Sequence, residues 1–332
     1  MSSEPILRNQ RNVRALADVG LGEVRRPPPL LHDLLLQRSL IMVSAEPYTG
    51  KTMLTLSLAL CLDSGLPFLG VFEPYEKLKV MYVGQDAPTW DYAEQTRKLM
   101  RGMELDDASI SILNTEAIFN ENVNILDKDF HTFLDNWHSE IGLDVVIFDT
   151  LACIHSADEN SSREMGVVMT ALKHLRDRLG LTVIFTHHTA KPSAGEERSA
   201  NYKARGSTVI AGSIDAHISL TETKSGSIRM TTPKARGLAN GKRKLLYDMV
   251  DLGTPSDPGV KLVAQMDATA HQNLILQSLD NGLTTRADLA LMLQSKAKLS
   301  ASTAGSAADN ALRSLERRAL VAKSGRGTWR KL

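Results

Sequence analysis

From Ser39 onward the chain sets short apolar runs between longer stretches whose apolar positions recur every three or four residues. The runs SLIMVS (39–44), LKVMYVG (78–84), SISILN (about 110–114), DVVIFD (144–149) and LTVIFTH (181–187) predict strands. Helical patterns fill about 52–64, 88–103, 129–141 and 162–179. In the last, Met165, Val168, Leu172, Leu175 and Leu179 make one apolar stripe. Continuously apolar strands alternating with helices predict an α/β fold whose mostly parallel sheet is covered on both faces. After Gly206 the helices drop out. DAHISLTE, GSIRMTTPKARG and KRKLLYDMV predict an antiparallel extension with a turn at Ser225-Gly226. From Asp267–Ala270 the pattern changes to helix, helix, helix and a terminal Gly-containing hairpin. Residues 1–38 are polar, with a short helical patch near Asn12–Val19 and the prolines Pro27, Pro28 and Pro29. These features divide the chain into an arm and Pro-rich linker (1–34), a core (35–255) and a small C-terminal domain (268–332).

Composition narrows the class. Of the 332 residues, 42% are hydrophobic and 23% charged, enough apolar surface for a sizeable globular core. Two cysteines, Cys61 and Cys153, exclude a disulfide framework or a Cys-rich zinc domain. The first residues carry no apolar leader and no 18-residue apolar run occurs, so a cytoplasmic protein with no membrane contact is expected. The net charge of +1 argues against a uniformly basic nucleic-acid coat. It is unevenly spread: residues 268–332 hold ten Lys and Arg against four Asp and Glu, a net +6.

The first strand runs directly into Ala45-Glu46-Pro47-Tyr48-Thr49-Gly50-Lys51-Thr52, and an apolar helix follows. This is the Walker A arrangement, with Ala45 where the strict pattern has glycine. Backbone N–H groups and the helix N-terminus attract phosphates, Lys51 adds a full charge, and Thr52 offers a hydroxyl to Mg²⁺. Gly50 lets the backbone approach without a Cβ. DVVIFD ends in Asp149 at the C-terminal end of a strand, where an acid can hold the Mg²⁺ hydration shell. ATP and Mg²⁺ are therefore the expected cofactors.

With these motifs in view, the chain resembles the RecA-type hexameric helicases, in particular the plasmid RepA-like branch related to DnaB. The resemblance covers roughly 27–250. It rests on PPPLLHDLLLQRSLIMVSAEPYTGKT, VMYVGQDAP, DVVIFDTLACIHSADENSSREM, LTVIFTHHTAK and KARGSTVIAGSIDAHISL. It implies a RecA-like P-loop core that assembles as a homo-oligomeric ring, expected to be a hexamer, binds ATP between subunits and passes single-stranded DNA through its centre. It implies that one of the paired histidines, His187 being the better match, senses the γ-phosphate. A zinc role for the pair is excluded by the lack of a matching Cys/His cluster. The family's catalytic Glu lies just beyond the second strand, where this chain has Gln85. A glutamine orients water without taking its proton, which leaves Asp86 as the candidate base. Lys234 and Arg236 resemble the basic finger that related motors extend to a neighbour's nucleotide, and Arg205 is a second candidate. Polar segments 155–162 and 191–203 lie where such folds turn loops toward the ring axis.

The C-terminal pattern looks like a winged helix. Its third helix would offer Arg313, Arg317 and Arg318 to DNA, and its wing Lys323, Arg326 and Arg330. Two functions lead on the sequence: a helicase or translocase of a plasmid, phage or other mobile element, and a nucleotide-switched DNA-binding loader or regulator with slow hydrolysis; a RecA-like recombination or clock-type ATPase is a third, which the DEN and THH blocks disfavour. The Gln85 departure favours the second, and the Lys234/Arg236 pair the first.

Overall fold

The computed structural model describes residues 25–108, 110–113, 123–189, 208–223, 226–238, 243–252, 254, 256–265, 268–280, 282, 285–297, 299–317, 320–325 and 327–331. The helical patch at Asn12–Val19, the segment 191–203, Arg205, Arg318 and Arg326 lie outside them, as does the side chain of Arg317.

A nine-stranded sheet organises the core. In chain order its strands are β3 (Leu40–Ala45), β4 (Val80–Gly84), β5 (Ser111–Leu113), β6 (Val145–Asp149), β7 (Thr182–His188), β8 (Ala216–Glu222), β9 (Ile228–Ala235), β10 (Lys244–Asp251) and β11 (Val260–Gln265). Across the sheet they run β11-β10-β9-β8-β3-β7-β6-β4-β5. The six from β8 to β5 are parallel and the remaining three add antiparallel ladders. The helices that return the chain between parallel strands include α1 (Lys51–Ser64), α2 (Thr89–Gly102), α3 (Lys128–Ile141) and α4 (Ser162–Leu179), followed by the short α5 (Thr208–Ser213). Each of α1, α3 and α4 ends on a glycine at positive φ, which closes the last turn without a Cβ penalty.

Side chains alternate across a strand, so every central strand serves two cores. On one face Ile41, Val43, Tyr82, Ile147 and Ile184 pack with α1. On the other, Met42, Met81, Phe148, Val183 and Phe185 pack with the α4 stripe Met165, Val168, Leu172 and Leu175. The α1 helix is apolar nearly all round, as a helix enclosed by sheet and loops must be.

Two segments differ from the sequence expectation. The Pro-rich linker is not free: β1 (Pro29–Leu31) and β2 (Leu35–Leu36) form a small hairpin whose Leu30, Leu31, Leu34 and Leu35 are buried in the α1-side core. Their leucines outweigh the extending effect of the prolines. The sheet also continues past residue 255, because β11 pairs along β10 and buries Leu262 and Ala264. Gly102, at the end of α2, admits this hairpin, since a Cβ there would lie 2.1 Å from the Val260 carbonyl oxygen.

Beyond the sheet, α6 (Ala268–Asp280), α7 (Arg286–Lys296), α8 (Ala301–Arg317) and the hairpin β12 (Val321–Gly325) and β13 (Thr328–Lys331) share a separate apolar cluster. Ile275, Leu289, Leu293, Leu312, Leu315 and Trp329 are among its members. Thr285 caps α7 by accepting from the Asp288 N–H.

On the α4-side face a polar layer closes the strand ends. Ser44 on β3 lies 2.7 Å from His217 Nε2 on β8. Burial, with the charges of His187 and Lys234, pushes the His217 imidazole down to about 4. The unfolded chain takes up that proton near 6.5 and the folded chain does not, so stability falls as pH drops from about 6.5 to about 4 and then levels off. The loss expected from this group is about 3 kcal/mol. Urea unfolding across that window should show it, and His217→Gln, which keeps a partner for Ser44 but cannot titrate, should show a fall smaller by about that amount.

Candidate nucleotide and metal site

The loop after β3 turns back over the start of α1. Ala45 is the last, fully buried residue of β3 and is not among the described non-glycine residues at positive φ. That first position therefore asks nothing of its residue that only glycine supplies. Positive φ falls instead on Tyr48 (64°) and Gly50 (87°). Gly50 is the N-cap of α1 and provides no side-chain cap. The first-turn N–H groups, which no helical carbonyl can satisfy, thus converge on the loop as an anion site. Lys51 Nζ lies 3.1 Å from the Glu46 carbonyl oxygen and 3.2 Å from His188 Nδ1. Burial pulls the ammonium below the usual lysine range, while Asp149 and Asp86 oppose that shift. Thr49 is buried beneath the loop, and Tyr48 stands fully exposed above it.

Asp149 ends β6 only 1% exposed. Its carboxylate is caged by hydroxyls from three elements: Thr52 Oγ1 of α1 (2.7 Å) and Tyr82 OH of β4 (2.8 Å) on Oδ2, and Thr186 Oγ1 of β7 (2.5 Å) on Oδ1. An ionised carboxylate only accepts, so all three hydroxyls donate. Two consequences bear on a metal. Thr52 has its proton committed to Asp149 and keeps its lone pairs for a cation. Asp149, with roughly four acceptor directions, retains one for a metal-bound water. This all-oxygen donor set beside an anion-binding loop fits Mg²⁺ carried with a nucleoside triphosphate. No cluster of three or more His, Cys, Asp or Glu able to hold a metal alone occurs among the described residues.

Strand alternation separates the two histidines. Thr186 and His188 share the α1 face with Asp149, whereas His187 points to the opposite face, 1% exposed, with its Nδ1 3.9 Å from Glu159. His188, which the sequence reading passed over in favour of His187, is the one against Lys51. Lys51 can only donate, so His188 Nδ1 accepts and the ring proton sits on Nε2, 4.0 Å from Asp86 Oδ2. Burial, then the Lys51 charge, lowers the His188 imidazole below its usual range, while Asp86 and Asp149 oppose the shift.

Gln85 and Asp86 follow β4 along the same edge. The Gln85 N–H donates to the Asp149 carbonyl at 2.9 Å, and the Asp86 N–H donates to Tyr92 OH at 3.2 Å. Tyr92 OH in turn donates to the Asp149 carbonyl at 3.4 Å, so α2 fastens this turn to β6. Gly84 makes room for it, since a Cβ there would sit 2.5 Å from the Tyr92 ring. Asp86 itself is 48% exposed.

The other candidate cations lie elsewhere. Lys234 pairs with His217 and Ala235 with Ala216, which puts Arg236 level with Leu40, at the far end of β3 from the phosphate loop. The separation along the strand is roughly 16 Å. Arg236 is 66% exposed and donates to Asp215 at 3.1 Å, and Lys234 Nζ donates to the Ala211 carbonyl at 3.0 Å. In the C-terminal cluster Arg286 is bonded through two nitrogens to Asp309, and Lys331 pairs with Asp280. Arg313, Lys323 and Arg330 are exposed, with Lys323 Nζ 5.4 Å above the Trp329 ring.

Sequence reasoning missed Tyr82, Thr186 and His188. The signal was available: Tyr82 and Thr186 are the polar interruptions in VMYVG and TVIFTHH, and parity places them with Asp149.

A family model described as the AAA domain matches residues 9–194. No curated protein matches the chain. The matched residues are more than half of the chain and include the phosphate loop, Asp149 and the paired histidines. The chain belongs to the AAA domain family, and its large, mostly parallel sheet is that of a P-loop ATPase core.

Proposed function

We propose that this protein is an ATP-driven, ring-forming DNA motor, a helicase or translocase of a mobile element, built on a RecA-like core. The observation that carries the reading is the division of charge across the sheet. The phosphate loop and Asp149 occupy one edge, while Lys234 and Arg236 sit at the other, out of reach of their own subunit's loop. A cation placed this way serves a neighbour's nucleotide or none, which suits a ring in which hydrolysis depends on assembly. Arg205 remains the alternative finger.

Within each site the residues divide the work. The α1 N-terminus and Lys51 bind phosphates, Thr52 and Asp149 hold the cation, and Mg²⁺ when bound neutralises charge developing between the terminal phosphates. His188, in contact with Lys51, takes the sensing role for the terminal phosphate. Asp86 handles the attacking water, with the neutral His188 ring turned toward it. At the C-terminus, three helices and a hairpin support a winged-helix reading. The apolar stripe Ala304, Ala308, Ala311 and Leu315 of α8 turns inward and Arg313 is exposed, as are the strand residues Lys323 and Arg330. Arg286 and Lys331 are paired internally, which leaves Arg313, Lys323 and Arg330 as the candidate cations among the described side chains of α8 and the hairpin.

One observation favours the second reading, a loader or regulator with slow hydrolysis. Gln85 is no base, and Asp86 is half exposed and held at its backbone rather than its carboxylate. Strand displacement measured beside DNA-stimulated ATP turnover separates the two. The motor predicts both activities, and DNA-stimulated hydrolysis without unwinding or translocation rejects it.

Two variant experiments test the parts. Asp86→Ala should cut turnover at least about 100-fold, with Gln85→Ala milder; the reverse order would reassign the water to Gln85. Arg236→Ala and Lys51→Ala subunits, each inactive alone, should recover activity when mixed, because some interfaces then pair an intact loop with an intact finger. No recovery at any ratio would count against a trans role for Arg236.

A further inference from the structure

The mechanism above makes no use of Tyr82, a fully buried phenol in a strand whose other core residues are apolar. A phenylalanine would fill the same space without a hydroxyl to satisfy. We propose that Tyr82 is a positioning residue that fixes the Asp149 carboxylate for the metal ion; the proposal rests on the reading of Asp149 as the metal acid.

The proton accounting carries it. Tyr82 OH lies 2.8 Å from Asp149 Oδ2 and 2.9 Å from Thr55 Oγ1. Its single proton goes to the carboxylate, so in the second contact the phenol oxygen can only accept, from a Thr55 proton that is shared with the Lys51 carbonyl at 3.0 Å. A Thr55 hydroxyl shared in this way favours the phenol rotamer whose proton faces Asp149. Thr55 stands one helical turn after Lys51 and is itself buried, so the orienting group is built into the helix that carries the phosphate loop. Thr52 and Tyr82 share Oδ2 while Thr186 holds Oδ1. Of the three, Thr52 is the hydroxyl that must also face the cation. Tyr82 and Thr186 remain as partners whose only business with the carboxylate is its orientation. Tyr82 also packs with its ring tilted by 57° against Tyr92, centroids 5.8 Å apart, the residue that ties the Gln85–Asp86 turn to β6. One pair of buried rings thus registers the metal acid against the water-handling turn.

The test compares the full-length protein with Tyr82→Phe, reading Mn²⁺ affinity in the ADP complex by paramagnetic resonance and fluorescent ADP affinity in EDTA. Losing an outer partner of a metal ligand should weaken Mn²⁺ about tenfold while metal-free ADP affinity changes little, and the melting temperature should fall because a buried carboxylate loses a donor. Thr55→Val, which leaves the phenol in place but removes its orienting donor, should shift Mn²⁺ the same way by about twofold to threefold, and carries the test if Tyr82→Phe does not fold. Unchanged Mn²⁺ affinity in the folded Tyr82→Phe protein, or in Thr55→Val if only that folds, overturns the proposal. Asp149→Asn is the reference: loss of Mn²⁺ there but not in Tyr82→Phe rejects Tyr82 alone. Retention in both rejects Asp149 as the metal acid and the proposal with it.

Discussion

A carboxylate that is 1% exposed at the end of a central strand has no water to solvate it, so protein donors must. Asp149 meets that demand with hydroxyls drawn from α1, β4 and β7, and its main-chain carbonyl accepts from the Gln85 N–H. Each bond to a charged acceptor is worth more than a neutral one, and an unmet one costs more. The single buried charge therefore sets the register among three separate elements. The strand order makes this geometrically available, because β7 lies between β3 and β6 and β4 flanks β6 on the other side. The nucleotide-facing groups all stand on the α1 side of the sheet, and the Ser44–His217 layer stands on the other.

Much of this was legible along the chain, and the misses have a common cause. Apolar runs located β3, β4, β6 and β7, and periodicity located α1 to α4, because both signals are local. The loop Ala45–Thr52 and Asp149 were readable for the same reason: each is a short motif at a strand end. The choice between His187 and His188 was not local. It turns on which face each side chain takes, and strand parity decides that only once β7 is registered against β3, with Ala45 opposite His188. Tyr82 and Thr186 belong to no local motif, and only the fold brings the carboxylate they serve beside them. The leucines of β1 and β2 were masked by neighbouring prolines, and β11 by lying past a segment rich in turn residues.

Charge shows the same layering. The whole-chain value of +1 conceals a mildly acidic portion before residue 268 and a C-terminal portion of +6. Among the described residues, Arg286 and Lys331 spend their charge on internal partners, Asp309 and Asp280. Counting cations thus overstates the surface offered to a phosphate backbone. In the proposed ring the opposed edges of the sheet have a parallel meaning. A subunit's own loop and its exposed arginine lie at opposite strand ends, and under that proposal chemistry at one site would be a property of two chains.

The central claim is that Asp149 and Thr52 make the phosphate loop a metal-dependent nucleotide site. Calorimetric titration of the wild-type protein with a non-hydrolysable ATP analogue, in Mg²⁺ and again in EDTA, tests it most directly. The account predicts one site per chain whose affinity falls at least tenfold when Mg²⁺ is removed. Equal affinity in both buffers, or no binding in either, would contradict it.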